Sequence, residues 1–284
     1  MRVDRFPDAD SKAQASDFIV TVGGQAGNAA IAVARLGGRA SFAGPLGSDA
    51  DEFATRICES LTRQHVDCRH ALRVAGAISS VSLILVDAAG EKMIATRRDQ
   101  GLRDTVPSDP ARMLADVDAV LLDNRYPNFV TPICQAARAL GIPRILDLDT
   151  AASADDHLLL ASSHVISSAE ALRASTGNSD LRAALKQLGR SFDGFLAFTD
   201  GADGTYWLER GQVGHLPAFK VNAVDTLGAG DVFHGAFAFR LVETGEELDS
   251  MRFAAAAAAI KCTRFGGLMG AATRAEVDDF LKNN

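Results

Sequence analysis

From residue 117 to residue 199 the chain alternates short apolar runs with helical patterns, and few folds can hold that order. The runs are Val117–Leu122, Arg144–Asp149, His164–Ser167 and Phe195–Thr199. Helical patterns over Asn128–Leu140 and near Leu158 separate the first three, and Leu181–Leu188 precedes the fourth. Short runs spaced by helices predict parallel strands in βαβ units, with the sheet covered on both faces. Tyr206–Leu208 and Gln212–Leu216 predict an antiparallel hairpin at the sheet edge. Upstream, the pattern predicts a strand over Asp17–Val22, a small-residue helix over Ala29–Leu36 stopped by Gly37-Gly38, a strand over Ser41–Leu46 and a helix over Asp51–Gln64. Ser79–Val86 and Lys92–Arg97 predict a second hairpin, turning at Asp87-Ala88-Ala89-Gly90-Glu91. Helices are expected over Val232–Glu243, Ser250–Arg264 and Thr273–Lys282. The fold class is therefore α/β: a large core of residues 23–74 and 101–284, and a small β lid from residues 1–22 and 75–100.

A length of 284 residues with 47% hydrophobic content supports a core of that size. A net charge of −7 with no long basic run argues against a nucleic-acid partner. Cys58, Cys68, Cys134 and Cys262 form no CxxC pair and read as reduced thiols. No signal peptide is evident, and the longest apolar run, Phe253–Ile260, is too short to span a membrane. A cytoplasmic protein with no membrane partner is expected.

The chemistry concentrates in Asn222-Ala223-Val224-Asp225-Thr226-Leu227-Gly228-Ala229-Gly230-Asp231, which runs into the helical pattern from Phe233. A Gly-rich turn at a helix start offers unpaired N–H groups and the positive end of the helix dipole, a site for phosphate or a developing anion. Asp231 beside it would repel a bound phosphate but could take the proton of a hydroxyl attacking one. A plain helix cap is the competing reading.

The string Asp225–Asp231 resembles the C-terminal signature of the ribokinase-like (PfkB) carbohydrate kinases. Gly23-Gly24-Gln25-Ala26-Gly27-Asn28, continuing through Ala34-Arg35-Leu36-Gly37-Gly38 and Gly44-Pro45-Leu46-Gly47-Ser48-Asp49, resembles the N-terminal one. The likeness runs from about residue 17 to the C-terminus. It implies a ribokinase-like three-layer sandwich with a mostly parallel central sheet and a small β lid. It also implies an ATP-dependent, Mg2+-using sugar kinase. Asp231 would be the catalytic base, and the N–H groups of Gly228, Ala229 and Gly230 the anion hole. Gly24 and Asn28 would meet sugar hydroxyls, as would Asp4 as the family's first-strand aspartate, with Lys12 nearby in the lid.

On the nucleotide side the resemblance implies Thr199, Gly201 and Gly204, as a TxGxxG turn, with Ser168, Gly228, Gly230 and Ala255. Glu170 stands where a family Glu organises magnesium-bound water. Asp225 would hold the anion-hole loop or, as in some members, lie beside a monovalent cation such as K+. Only three residues precede Asp4, where the family has a complete apolar strand. A central strand cannot be omitted without exposing its neighbours.

Arg125, at the polar end of Val120-Leu121-Leu122, suits a phosphate or sulfonate. Phe219-Lys220-Val221, His234-Gly235-Ala236 and Lys261-Cys262-Thr263-Arg264 look closest to the sulfofructose-kinase-like branch. An anionic sugar is one expectation; an Arg paired to Asp123 or Asp147 is the other. A nucleoside or other small-alcohol kinase fits less well, because the lid is poor in aromatic residues. A catalytically silent sugar-binding protein is a third reading. A dinucleotide oxidoreductase is weak, since no GxGxxG follows the first strand. Exposed lid edges suggest a homodimer.

Overall fold

A computed structural model describes residues 1–88 and 92–284. The predicted hairpin tip at residues 89–91 lies outside the described residues. In chain order the elements are α1 (Gln25–Arg35), β1 (Ala40–Leu46), α2 (Glu52–Arg63), β2 (Val66–Arg73), β3 (Val81–Val86), β4 (Lys92–Arg97), α3 (Gln100–Arg103), β5 (Val120–Asp123) and α4 (Pro127–Ala139). There follow β6 (Arg144–Leu148), α5 (His157–Ala161), β7 (His164–Ser168), α6 (Ala169–Thr176), α7 (Leu181–Leu188), β8 (Phe195–Thr199), β9 (Thr205–Glu209) and β10 (Gln212–Leu216). Helices α8 (Ala229–Thr244), α9 (Glu247–Cys262) and α10 (Arg274–Lys282) complete the chain.

The main sheet has the order β10-β9-β8-β7-β6-β5. Strands β5 to β8 are parallel, and β9 and β10 are antiparallel additions at the edge. Side-chain alternation sorts its residues between two helical layers. Ile145, Ile166 and Ala197 join the core built on α1, α8, α9 and α10. Leu146, Leu148, Val165, Leu196 and Phe198 face the core built with α4 to α7. The same alternation turns Asp123 and Asp147, at the carboxyl ends of their strands, toward the layer of α1 and α8.

The parallel sheet is split. β1 pairs in parallel with β2 and forms no ladder with β5 among the described residues. Both β1 and β5 line a single cavity of about 2350 Å3, well beyond the roughly 300–1,000 Å3 of an ordinary ligand pocket. Among the described residues neither strand has a ladder partner on its other edge. The strand expected over Asp17–Val22 does not form. Asp17 makes one bridge to Arg2, and Phe18, Ile19 and Val20 are exposed along the cavity.

β3 and β4 form a separate antiparallel hairpin. The first residues lie along β3: Val3 N–H donates to Val86 O and Val86 N–H to Met1 O, each at 2.9 Å. Asp4 therefore follows a segment that edges this hairpin, not a strand of the central sheet.

Candidate active site

Asp123 and Asp147 are direct partners in the β5–β6 register. Neighbouring like charges on one face repel, and Arg125 answers them. Its main-chain N–H donates to Asp123 Oδ1 at 2.9 Å, its Nε donates to Gln25 Oε1 at 2.9 Å, and its terminal nitrogen pairs with Asp149. A guanidinium only donates, so it fixes the Gln25 amide. Gln25 Nε2 is then left to donate to Asp147 Oδ2 at 2.9 Å. Burial, reinforced by the charges of Asp123 and Asp149, pushes the Asp147 carboxyl well above the usual range. Burial also raises Asp123, with the Arg125 amide and charge opposing. From α8, His234 brings Nδ1 to 2.8 Å from Gly230 O and 3.5 Å from Asp147 Oδ2, and burial holds its pKa down.

α8 begins after Gly228, whose φ of 78° is the left-handed conformation that other residues resist. Ala229 N–H donates to Thr226 O at 3.2 Å. Here the amide of Ala229 is engaged by the turn itself. The amides of Gly228, Gly230 and Asp231 have no partner among the described residues.

Asp231, in the first turn of α8, accepts from Asn28 Nδ2 at 2.5 Å. Asn28 sits in the first turn of α1, and its Oδ1 is buried with no partner among the described residues. The two helices approach this closely because of Gly235. A Cβ there would lie 2.6 Å from Ala29 O. Burial is the largest influence on Asp231 and raises its pKa to about 7; the Asn28 hydrogen bond opposes the rise and the Asp147 charge adds to it. A carboxylate poised near neutrality beside free amides and an orphaned acceptor suits proton abstraction from a hydroxyl.

Six residues earlier, Asp225 is saturated with donors. Its carboxylate accepts from the amides of Leu227 (2.8 Å), Gly266 (3.2 Å) and Gly267 (3.1 Å), and lies 3.4 Å from Lys261 Nζ. Burial alone would raise this group, but the Leu227 and Gly267 amides and Lys261 hold it below the usual carboxylate range.

The cavity brings together Gly24, Asn28, Arg125, Asp225, Gly228 and Asp231. Asp4 and Lys12 are exposed and do not line it. Ser168, Thr199, Gly201, Gly204 and Ala255 also lie outside the cavity. Ser168 and Thr199 are register partners at the ends of β7 and β8, two and three places along the sheet from β5. The Ser168 hydroxyl caps α6 by accepting from Ala171 N–H at 3.1 Å, and Glu170 beside it is exposed. Gly204, at φ 99°, is demanded by packing, since a Cβ would meet Leu216 O at 2.2 Å. Gln25, Asp149 and Lys261 lie in segments that the sequence singles out, yet nothing there assigns them a role; Asp147 and His234 are polar residues set in apolar runs.

The family described as pfkB family carbohydrate kinase matches residues 1–273. The ribokinase of Haemophilus influenzae is 27% identical over 275 residues, spanning 94% of this chain and 89% of that protein. An ATP-dependent ribose-1-phosphate kinase of Halopiger xanaduensis is 29% identical over 274 residues, spanning 94% and 88%. A candidate ribokinase from Agrobacterium tumefaciens has a crystal structure that superposes with a TM-score of 0.94 at 36% identity, covering 99% of this chain and 93% of that one.

Proposed function

The chain belongs to the pfkB family of carbohydrate kinases and is a sugar kinase, and from that premise we propose that Asp231 is its catalytic base and ATP its phosphoryl donor. The observation that carries this reading is the pairing of Asp231 with Asn28, whose Oδ1 is buried with no partner among the described residues. A sugar hydroxyl fits there: it donates to Asn28 Oδ1 or Asp231, loses its proton to Asp231 and attacks the γ-phosphoryl group in line. The free amides of Gly228, Gly230 and Asp231 receive the growing charge on the transferred group. Closure of the β3–β4 hairpin over the cavity excludes water.

Among the described residues no three His, Cys, Asp or Glu side chains converge to hold a metal ion. Magnesium would be held by triphosphate oxygens and water, with Glu170, exposed in the first turn of α6, as the residue offered to its water shell. When bound, magnesium neutralises phosphate charge.

The substrate end of the site favours neutral hydroxyls. Arg125 is already engaged by Asp149 and Gln25, and Asp123 and Asp147 stand beside it. An anionic ketose, phosphorylated or sulfonated, is the second reading; the relative named as a ribose-1-phosphate kinase supports its anionic character but names an aldose. Exposed Leu83, Met93 and Ile94 on the hairpin suit a homodimer joined through the lids, which light scattering of a Leu83→Glu variant would test.

A coupled ADP-release assay over neutral, phosphorylated and sulfonated sugars decides the substrate. Turnover of a neutral sugar is expected. Turnover of anionic sugars alone would reassign Arg125 as their reader. Full activity in Asp231→Asn would overturn the mechanism.

A further inference from the structure

Lys261 has no exposed surface. A buried ammonium is costly unless oxygens surround it. Lys261 lies in the last turn of α9, where the helix dipole favours a cation. Its Nζ donates to the main-chain oxygen of Asp225 at 2.7 Å and lies 3.4 Å from Asp225 Oδ2. The Val224 and Asp225 amides donate to Cys262 O at 2.7 and 3.1 Å, and the Gly266 and Gly267 amides reach the same Asp225 carboxylate. The ammonium thus sits where three segments meet: the entry to the turn bearing Asp231, the end of α9, and the glycine pair.

A carbonyl and a carboxylate of one residue, converging on a point charge, make the kind of oxygen site that a monovalent metal ion occupies. The family resemblance implies such an ion beside Asp225. The residues present do not fit it, because the Asp225 oxygens already hold Lys261 and a second cation a few ångströms away would be repelled. We infer that Lys261 is a built-in cation: its ammonium braces the catalytic turn in place of a monovalent metal ion, and the protein needs none. Lys261 is a positioning residue. It does not touch the reacting atoms; it holds Asp225, and Asp225 holds the turn that leads to Asp231.

The test compares potassium, sodium and tetramethylammonium chlorides at one ionic strength, on the wild type and on Lys261→Met. Methionine keeps most of the buried stem and removes the charge. Wild-type turnover and melting temperature are expected to be indifferent to the salt, within about twofold in rate. Lys261→Met is expected to lose on the order of tenfold in kcat, and potassium alone should restore rate and raise its melting temperature. A purely structural role for Lys261 would not produce rescue by one cation. Several-fold activation of the wild type by potassium overturns the inference, even if the variant does not fold. A folded variant whose melting temperature ignores potassium overturns it as well. The rate arms rest on the kinase reading above, and the melting arms do not. A protein that phosphorylates no sugar therefore leaves this inference to be decided by melting alone.

Discussion

Asp225 and Asp231 stand at the two ends of one turn and have opposite surroundings. Asp225 receives three amides and an ammonium, and its pKa lies below the usual range. Asp231 receives one side-chain amide in a burying site, and its pKa rises to about 7. The difference teaches what each carboxylate is for. A saturated carboxylate is a fastener, because removing its charge undoes several bonds at once. An under-satisfied one is reactive, because it can accept a proton at little cost. Their contributions to stability run in opposite directions with pH. Asp231 has a folded pKa above its unfolded value of about 3.8. Its stabilisation is complete below that value and is lost as pH rises through about 7. Asp225 has a folded pKa below its unfolded value, so its stabilisation is present above about 3.8 and disappears as the pH falls further.

The sharpest break of this contrast is Asp231→Asn. It should lower kcat on the order of 10²- to 10⁴-fold, measured by ADP release, while ATP binding persists. The same variant should melt higher than wild type at pH 8, because an asparagine pays no charge burial there. A lower melting temperature at pH 8 would mean that Asp231 is a fastener too. At the other end, Asp225→Ala leaves Lys261 buried without its counter-charge. Denaturant unfolding at pH 7 should register a loss of about 3–5 kcal/mol. Gly235→Ala probes the spacing between the helices that bring Asn28 to Asp231. Forcing a methyl against Ala29 O, at 2.6 Å, should cost about 1–3 kcal/mol. It should also lower kcat, as α1 moves away from α8.

Much of this site was legible in the chain, and the illegible parts share a cause. The turn at Asp225–Asp231 is local, and its glycines and acids announce it. The alternation in Ile145-Leu146-Asp147-Leu148 set the face on which Asp147 lies, yet nothing in it named His234 or Gln25 as partners, because those contacts cross the fold. Lys261 reads in sequence as an ordinary polar residue near a helix end; only tertiary packing buries it. β2, Val66–Arg73, has no apolar strand pattern because it carries Asp67, Arg69, His70 and Arg73, and it tolerates them as one strand of a two-stranded sheet. Asp17–Val22 has the β-branched residues of a strand, but propensity forms no ladder without a neighbour to pair with.

The smallest expected effect discriminates most finely between the two carboxylates. Asn28 donates a hydrogen bond to the Asp231 carboxylate, and that bond lowers a pKa that burial raises. Asn28→Ala removes it, so the Asp231 pKa should climb. A base works only when ionised, and the acidic limb of kcat at saturating sugar should move to higher pH. At pH 6 the variant should lose more activity than at pH 9, with the ratio between the two losses less than about tenfold. A sugar-binding role alone would raise KM and leave the limb of kcat in place. The loss of one donor at Asp225, by Lys261→Met, should leave the limb unmoved, since the amides of Leu227, Gly266 and Gly267 remain. A limb that moves in that variant and stays fixed in Asn28→Ala would reverse the assignment of base and fastener.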